Sequence, residues 1–288
     1  MSGFPSSTAT ATEPHYGLFT RVAMQWGKLV VDSVMALGDF SLFVFRTISW
    51  LFTRLPRSET IWPNFHTVGV SSIPVIALTG TFIGMVLAVQ SYFQFRQLGL
   101  ETRLGAVINL SLLRELGPVL AATMLAGRVG SAMAAELGTM RVTEQIDALA
   151  SMGANPIHYL VVPRFLACLF LIPTLTLMAD FMGVCGGHLY TVNILGVDVH
   201  HYWDNSQQSV EVFDLLHGLI KSVFFGMAIA MVSCYQGFNC TAGAEGVGRA
   251  STSSFVYSFV LILVLDLGIG IMLDSIYFAM YPEGASLV

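Results

Sequence analysis

The run LSLLRELGPVLAA sets Arg114 beside Glu115 deep in an otherwise apolar segment, and GLIKSVFFG does the same for Lys221. An ionisable group in such a setting is costly unless it is paired or hydrated, so these side chains must face protein or a water-filled cavity. A Glu115 to Lys221 ion pair would satisfy two of them and leave Arg114 for an anionic partner. A purely structural buried pair accounts for the same residues, and spacing alone leaves both readings open. Pro118, one turn beyond, lacks an N–H and should bend the helix where the charges sit. Asp180 and Asp266 are further carboxylates inside apolar segments, where hydrogen bonding between helices is the expected role. Asp274 falls close enough to a segment end to be hydrated.

Nothing in the chain has the pattern of a catalytic centre. Gly27-Lys28 and Lys221-Ser222 lack the glycine that a GxxxxGKS/T phosphate loop requires, and no GxSxG, HExxH or DxD run occurs. His188, His200, His201 and His217 have no metal spacing. Cys168, Cys185, Cys234 and Cys240 form no CxxC pair and fall mostly in apolar stretches, where a thiol behaves as a small hydrophobe. The chain therefore reads as a non-enzyme with no cofactor of its own, and any ATP must be hydrolysed by another chain.

The elements that must position these charges are membrane helices. Of 288 residues 55% are hydrophobic and 11% charged, too few charges to cover a water-soluble fold of this length. The net charge of −5 has no acidic or basic block behind it and does not point to nucleic acid. Five segments are long and apolar enough to span: Val68 to Tyr92, Leu104 to Leu125, Phe165 to Tyr190, Leu215 to Tyr235 and Phe255 to Phe278. Residues 1–18 read as a disordered arm. Residues 19–60 read as an interfacial amphipathic helix region, since Arg21, Lys28, Asp32, Asp39 and Arg46 recur among apolar residues at helical spacing. A sixth span from Val30 to Phe52 is the alternative, at the cost of burying Asp32, Asp39 and Arg46.

Arg21, Lys28, Arg46, Arg54 and Arg57 precede the first span, Arg128, Arg141 and Arg164 lie between the second and third, and Arg249 lies between the fourth and fifth. The excess of basic residues places these regions and the N-terminus in the cytoplasm and the C-terminus outside. The short loop with Arg96 and Arg103 is the exception.

Between the second and third spans, Thr143 suits an N-cap, Glu144 and Asp147 a first turn, and Gly153 with Pro156 a stop. Ile146, Leu149, Ala150 and Met152 would share a face of this short cytoplasmic helix. An apolar face there needs a protein partner or the lipid headgroups, and composition leaves the choice even. Gly80 with Gly84, and Ala126, Gly130, Ala134 and Gly138, are small-residue ladders that allow close helix packing, within the chain or in a dimer.

The stretch from Leu110 to Arg164, with RELGP, AGRVGSA, AELGTM, TEQIDAL and its P-I-x-Y-L-x-x-P-R ending, resembles the MlaE (YrbE) family of ABC transporter permeases. TFIGMVLAVQSY, IKSVFFG and GVGRASTSSFV extend the resemblance over about Pro63 to Phe278. It implies an all-α integral membrane protein of the bacterial inner membrane: an N-terminal interfacial helix plus five transmembrane helices, occupying residues 61–288, in a homodimer. It implies a cytoplasmic ABC ATPase that binds the ATP, often a STAS-domain protein, and a periplasmic MCE-domain hexamer. The implied cargo is phospholipid, moved in support of outer-membrane lipid asymmetry. Arg114, Glu115 and Lys221 match the family's charged residues at a lipid pocket, with Val89, Tyr92 and Leu116 as expected lining. Glu144, Ile146, Asp147, Leu149 and Met152 match the helix that couples to the ATPase, and Arg249 matches a cytoplasmic arginine before the last span.

Overall fold

The computed structural model describes residues 18–53, 58–100 and 103–280. The arm before Leu18, Arg54, Arg57 and the tail after Met280 lie outside the described residues. Every regular element among the described residues is helical. The chain divides into two compact units, residues 1–45 and 46–288. The first holds the N-terminal part of α1 (Leu18–Thr53), whose Trp26, Val30, Val34 and Leu37 are exposed.

In the second unit α2 (Ser58–Val68) and α3 (Ile73–Leu98) follow one another across a single short turn. The next length of chain is α4 (Leu104–Ser111), α5 (Gly117–Leu125) and α6 (Ser131–Val142), joined by π-turns at Leu112–Leu116 and Ala126–Gly130. A short α7 (Gln145–Ser151) and a third π-turn, Ile157–Val161, lead into α8 (Val162–Asn193). Then come α9 (Val199–Ser209), α10 (Val212–Phe238) and α11 (Ala244–Met280).

Five of these lengths are long and apolar enough to cross a membrane: Ser58–Leu98, Leu104–Val142, Ile157–Asn193, Val212–Phe238 and Ala244–Tyr277. They are the five segments expected from sequence, and each runs beyond its apolar stretch. Helix does not stop where the hydrocarbon does, because backbone hydrogen bonding continues through polar residues until a cap or glycine ends it. Helix α1 is not among the five.

Small residues set the packing. Helix α3 lies chiefly against α8, where a Cβ on Gly80 would press on the Ala179 backbone and one on Gly84 would land on the Gly183 carbonyl. The Gly80/Gly84 pair is thus used up within the chain. The second ladder faces α10 and α11: Ala126 and Ala134 are fully buried, Gly130 lies against Ser233 and Gly138 against Cys240. A bulkier side chain at these positions would separate helices that α10 and α11 need in contact.

One local expectation is corrected. Thr143 does not cap α7; it closes α6, its hydroxyl donating to the Thr139 carbonyl at 2.8 Å, and Glu144 takes the left-handed conformation at φ 59° that starts α7. The segment after Asp198 forms α9, whose start is capped by the Asp198 carboxylate accepting from the His200 N–H at 2.7 Å. Helix α9 docks on α4 through buried polar groups: Asn109 donates to Ser206 Oγ at 2.5 Å, and the Tyr202 hydroxyl donates to Asn109 Oδ1 at 3.2 Å.

Candidate functional site

The site begins at a helix defect. Pro118 has no N–H, so the Arg114 carbonyl loses its donor one turn on. The chain answers with a wider turn in which the Gly117 N–H donates to the Leu112 carbonyl, five residues back. Helix α10 meets this turn closely, since Gly218 leaves room for the Leu113 carbonyl and the Pro118 ring. Turns of this kind recur at functional sites because they turn side chains out of the ordinary helical register.

Lys221 of α10 is completely buried, and its Nζ lies 2.8 Å from both carboxylate oxygens of Glu115. The same Nζ lies 2.9 Å from Asp266 Oδ1 on α11, an ion contact whose direction is not that of a hydrogen bond. Gly270, one turn further along α11, makes space for the ammonium: a Cβ there would stand 3.3 Å from it. One cation thus joins three segments of the bundle. With formal charges +1, −1 and −1 the cluster sums to −1, so it is not a balanced pair.

Toward the N-terminal end of α10 the pattern repeats. Arg114 Nε donates to Asp214 Oδ1 at 2.5 Å, and the buried Asp214 also accepts the Glu211 N–H at 2.8 Å as part of the capping box of α10. The Arg114 guanidinium stands over the Tyr277 ring at 5.8 Å. Between the two charged groups lies His217, fully buried, with Nε2 3.8 Å from Asp274 Oδ1, beyond hydrogen-bond reach. Asp214, His217 and Lys221 form one stripe of α10, facing Asp266, Asp274 and Tyr277 of α11 and the Arg114–Glu115 turn.

Arg114 is therefore not a cation left over, as one reading of the sequence had it; Asp214 holds it. It keeps a side chain 30% exposed, and Glu115 one 49% exposed, so a polar molecule beside the bundle can reach both while Lys221 stays sealed. Asp266 does join helices, though through Lys221. Asp180 is buried with Oδ1 lacking a hydrogen-bond partner, pressed against Gly117.

Comparison with known proteins decides the family. The family model described as Permease MlaE matches residues 61–272. The chain belongs to the MlaE permease family. Among relatives of this permease, a probable ABC transporter permease protein of Rickettsia conorii is 44% identical over 84% of this chain and 94% of its own. The intermembrane phospholipid transport system permease protein MlaE of Haemophilus influenzae is 38% identical, covering 83% and 92%. The chloroplastic protein trigalactosyldiacylglycerol 1 of Arabidopsis thaliana is 38% identical, covering 78% of this chain and 64% of its own.

The remaining residues singled out from the MlaE resemblance are dispersed. Leu116 is half-buried on the same turn as Glu115. Tyr92 packs instead with Ala88, Leu104 and Ile108, and Val89 is half-buried beside it on α3, a helix whose main partners are α8 and α4. Within one chain these two do not join the Lys221 cluster. On α7, Ile146 is buried, Leu149 half-buried and Met152 73% exposed, while Asp147 accepts from Arg141 at 2.6 Å. Glu144 is exposed at the start of the helix. Arg249 pairs with Glu245 one turn away at 2.8 Å. Sequence reading missed Asp214 as the partner of Arg114 and Asp266 as the second ion partner of Lys221. Asp214 lies 100 residues from Arg114 (214 − 114) and Asp266 lies 45 from Lys221 (266 − 221), on different helices, and no local pattern carries such pairings.

Proposed function

We propose that this chain is the permease subunit of an ATP-driven phospholipid transporter of the bacterial inner membrane. The observation that carries the reading is the buried Lys221 shared by Glu115 and Asp266 beside a reachable Arg114–Glu115 pair, inside a membrane bundle of the MlaE family. Reachable groups of both signs, flanked by Leu116, offer a polar end for a phospholipid headgroup and an apolar flank for its chains. The name of the Haemophilus relative supports phospholipid as the cargo.

In this reading two copies form a homodimer, and Val89 and Tyr92 line the lipid path between copies. The Met152 and Leu149 side of α7 enters a groove of a cytoplasmic ATPase, which holds the ATP that this chain has no phosphate loop to bind. A STAS-domain protein attaches on that side and an MCE-domain hexamer takes the lipid outside. The N-terminus with the α1 region, lying in the interface, is cytoplasmic and the C-terminus periplasmic.

Mass spectrometry of lipids co-purifying with the intact complex, read together with its ATPase activity in nanodiscs, tests this. Co-purifying phospholipid and lipid-stimulated hydrolysis are expected. A second reading, an ion-coupled transporter relaying protons through Glu115, Asp180 and Asp266, is favoured by the orphaned Asp180 carboxylate oxygen. It requires gradient-driven transport without an ATPase, and transport that persists after the ATPase is removed would establish it.

A further inference from the structure

A second polar cavity, of about 390 Å³, lies along the same helices but away from the Lys221 cluster. Its walls include Asn64 and Thr67 of α2, Arg128 of the Ala126–Gly130 π-turn, Glu136 of α6, Tyr159 of the Ile157–Val161 π-turn and Arg164 of α8. Two of the three π-turns among the described residues thus open onto this one cavity. Arg128 follows Arg114 by 14 residues (128 − 114), which at 1.5 Å per residue puts it roughly 20 Å further along the span. The two sites therefore lie toward opposite faces of the bilayer.

The charges here are unevenly matched. Arg164 is buried; its Nη2 is 3.0 Å from Glu136 Oε2 and its Nη1 donates to the Leu160 carbonyl at 3.0 Å. Glu136 is thereby engaged. Arg128 donates Nη1 to the buried Ser72 hydroxyl and has no carboxylate within ion-pair distance among the described residues, although Glu59 also lines the cavity. A partly buried guanidinium with one neutral partner keeps most of its donors, in a fork that fits phosphate oxygens. On the other side of α2 an apolar hollow of about 660 Å³ is lined by Trp62, Phe65, Val70, Leu171 and Met178. Lipid chains would find cover there, and a free anion would have no use for it.

We propose that the Arg128 cavity binds the phosphate of a membrane phospholipid at the end of the spans opposite the Arg114–Lys221 cluster, giving the permease a second lipid station. This rests on the transport reading above, and the test separates the two. A photoreactive benzoylphenylalanine is placed at Thr67 or, separately, at Leu116 in the full chain co-expressed with its partners, in cells labelled with radioactive phosphate. Crosslinking of labelled lipid at Thr67 is expected, with a drop of roughly tenfold in Arg128→Gln, the loss of one charge-assisted contact. Labelling at Leu116 stays within about twofold of its starting level, since that site is built by other residues.

Should Arg128→Gln fail to insert, Ala132→Asp, at an exposed position on the cavity wall, places a carboxylate beside Arg128 and is expected to give the same loss, while Ala132→Asn keeps the label. Equal labelling at Thr67 in Arg128→Gln or Ala132→Asp overturns the proposal. So does displacement of the label by millimolar inorganic phosphate in nanodiscs of phosphatidylethanolamine and phosphatidylglycerol, which would make the site one for free anions. Lipid at Leu116 and none at Thr67 removes the second station and leaves the transport reading standing; lipid at Thr67 and none at Leu116 does the reverse.

Discussion

At the residue scale the energetics turn on which side chain of the charged cluster is removed. Lys221 is sealed, so its loss leaves Glu115 and Asp266 facing each other with no cation, and breaking a buried pair costs about 3–5 kcal/mol. Glu115 is half exposed, and Asp266 stays with Lys221 when Glu115 goes, so Glu115→Ala is expected to cost about 1 kcal/mol or less. The predicted order is Lys221→Ala far worse than Glu115→Ala, with Lys221→Ala combined with Glu115→Ala milder than Lys221→Ala alone. Thermal unfolding of the purified variants in nanodiscs checks it, and additive losses would dissolve the cluster. A similar argument applies to Asp214, which both holds Arg114 and caps α10. Asp214→Asn keeps a side-chain oxygen for the Glu211 N–H and should be more stable than Asp214→Ala by about 1 kcal/mol.

At the element scale the helices are held apart or together by single hydrogen atoms. Gly84→Ala puts a methyl group onto the Gly183 carbonyl, and relief requires α3 and α8 to separate, a cost of about 1–3 kcal/mol. Gly268→Ala, in α11 with nothing within 4 Å of the new methyl, should be neutral or slightly stabilising. The difference in unfolding temperature between these two variants measures the α3–α8 contact directly. For α7 the exposed apolar surface lies at Met152 and, in part, Leu149, while Ile146 belongs to the chain's own interior. Met152→Asp and Leu149→Asp should therefore release a co-purifying ATPase with the permease still folded, because a charge would be desolvated in the groove. Ile146→Asp should lower the yield of the permease itself. Pull-down ratios and membrane yields of the three variants separate these outcomes.

At the scale of the whole molecule five helices are long and apolar enough to span, and the proposed orientation, with the Arg128 to Arg164 side in the cytoplasm and α9 outside, follows the charge bias. Single cysteines at Thr143 and Asn205, in a background without the native cysteines, report this. An impermeant maleimide applied to intact spheroplasts should label position 205 in α9 and leave position 143 at the end of α6 unlabelled until the membrane is opened. The reverse pattern would invert the charge-based orientation.

The five-span, all-helical plan was legible in the sequence because apolar length and missing charge are properties of contiguous residues, and the bilayer reads them as such. That Arg114, Glu115 and Lys221 would need partners was legible for the same reason: a charge in an apolar run announces its own cost. Partner choice was legible only in part. Glu115 with Lys221 was the pairing expected of two opposite charges in apolar runs, whereas Asp214, lying in the first turn of α10, gave no sign that it would take Arg114. Asp266 likewise gave no sign that Lys221 would be shared. Those pairings depend on the rotation of α10 and α11 about their axes, which is set by where Gly218 and Gly270 let neighbours approach. The same holds for the Arg128 cavity, whose walls come from α2, α6, α8 and two π-turns. Sequence determined which residues had to be satisfied within the membrane, and the packing of helices distant in the chain decided by whom.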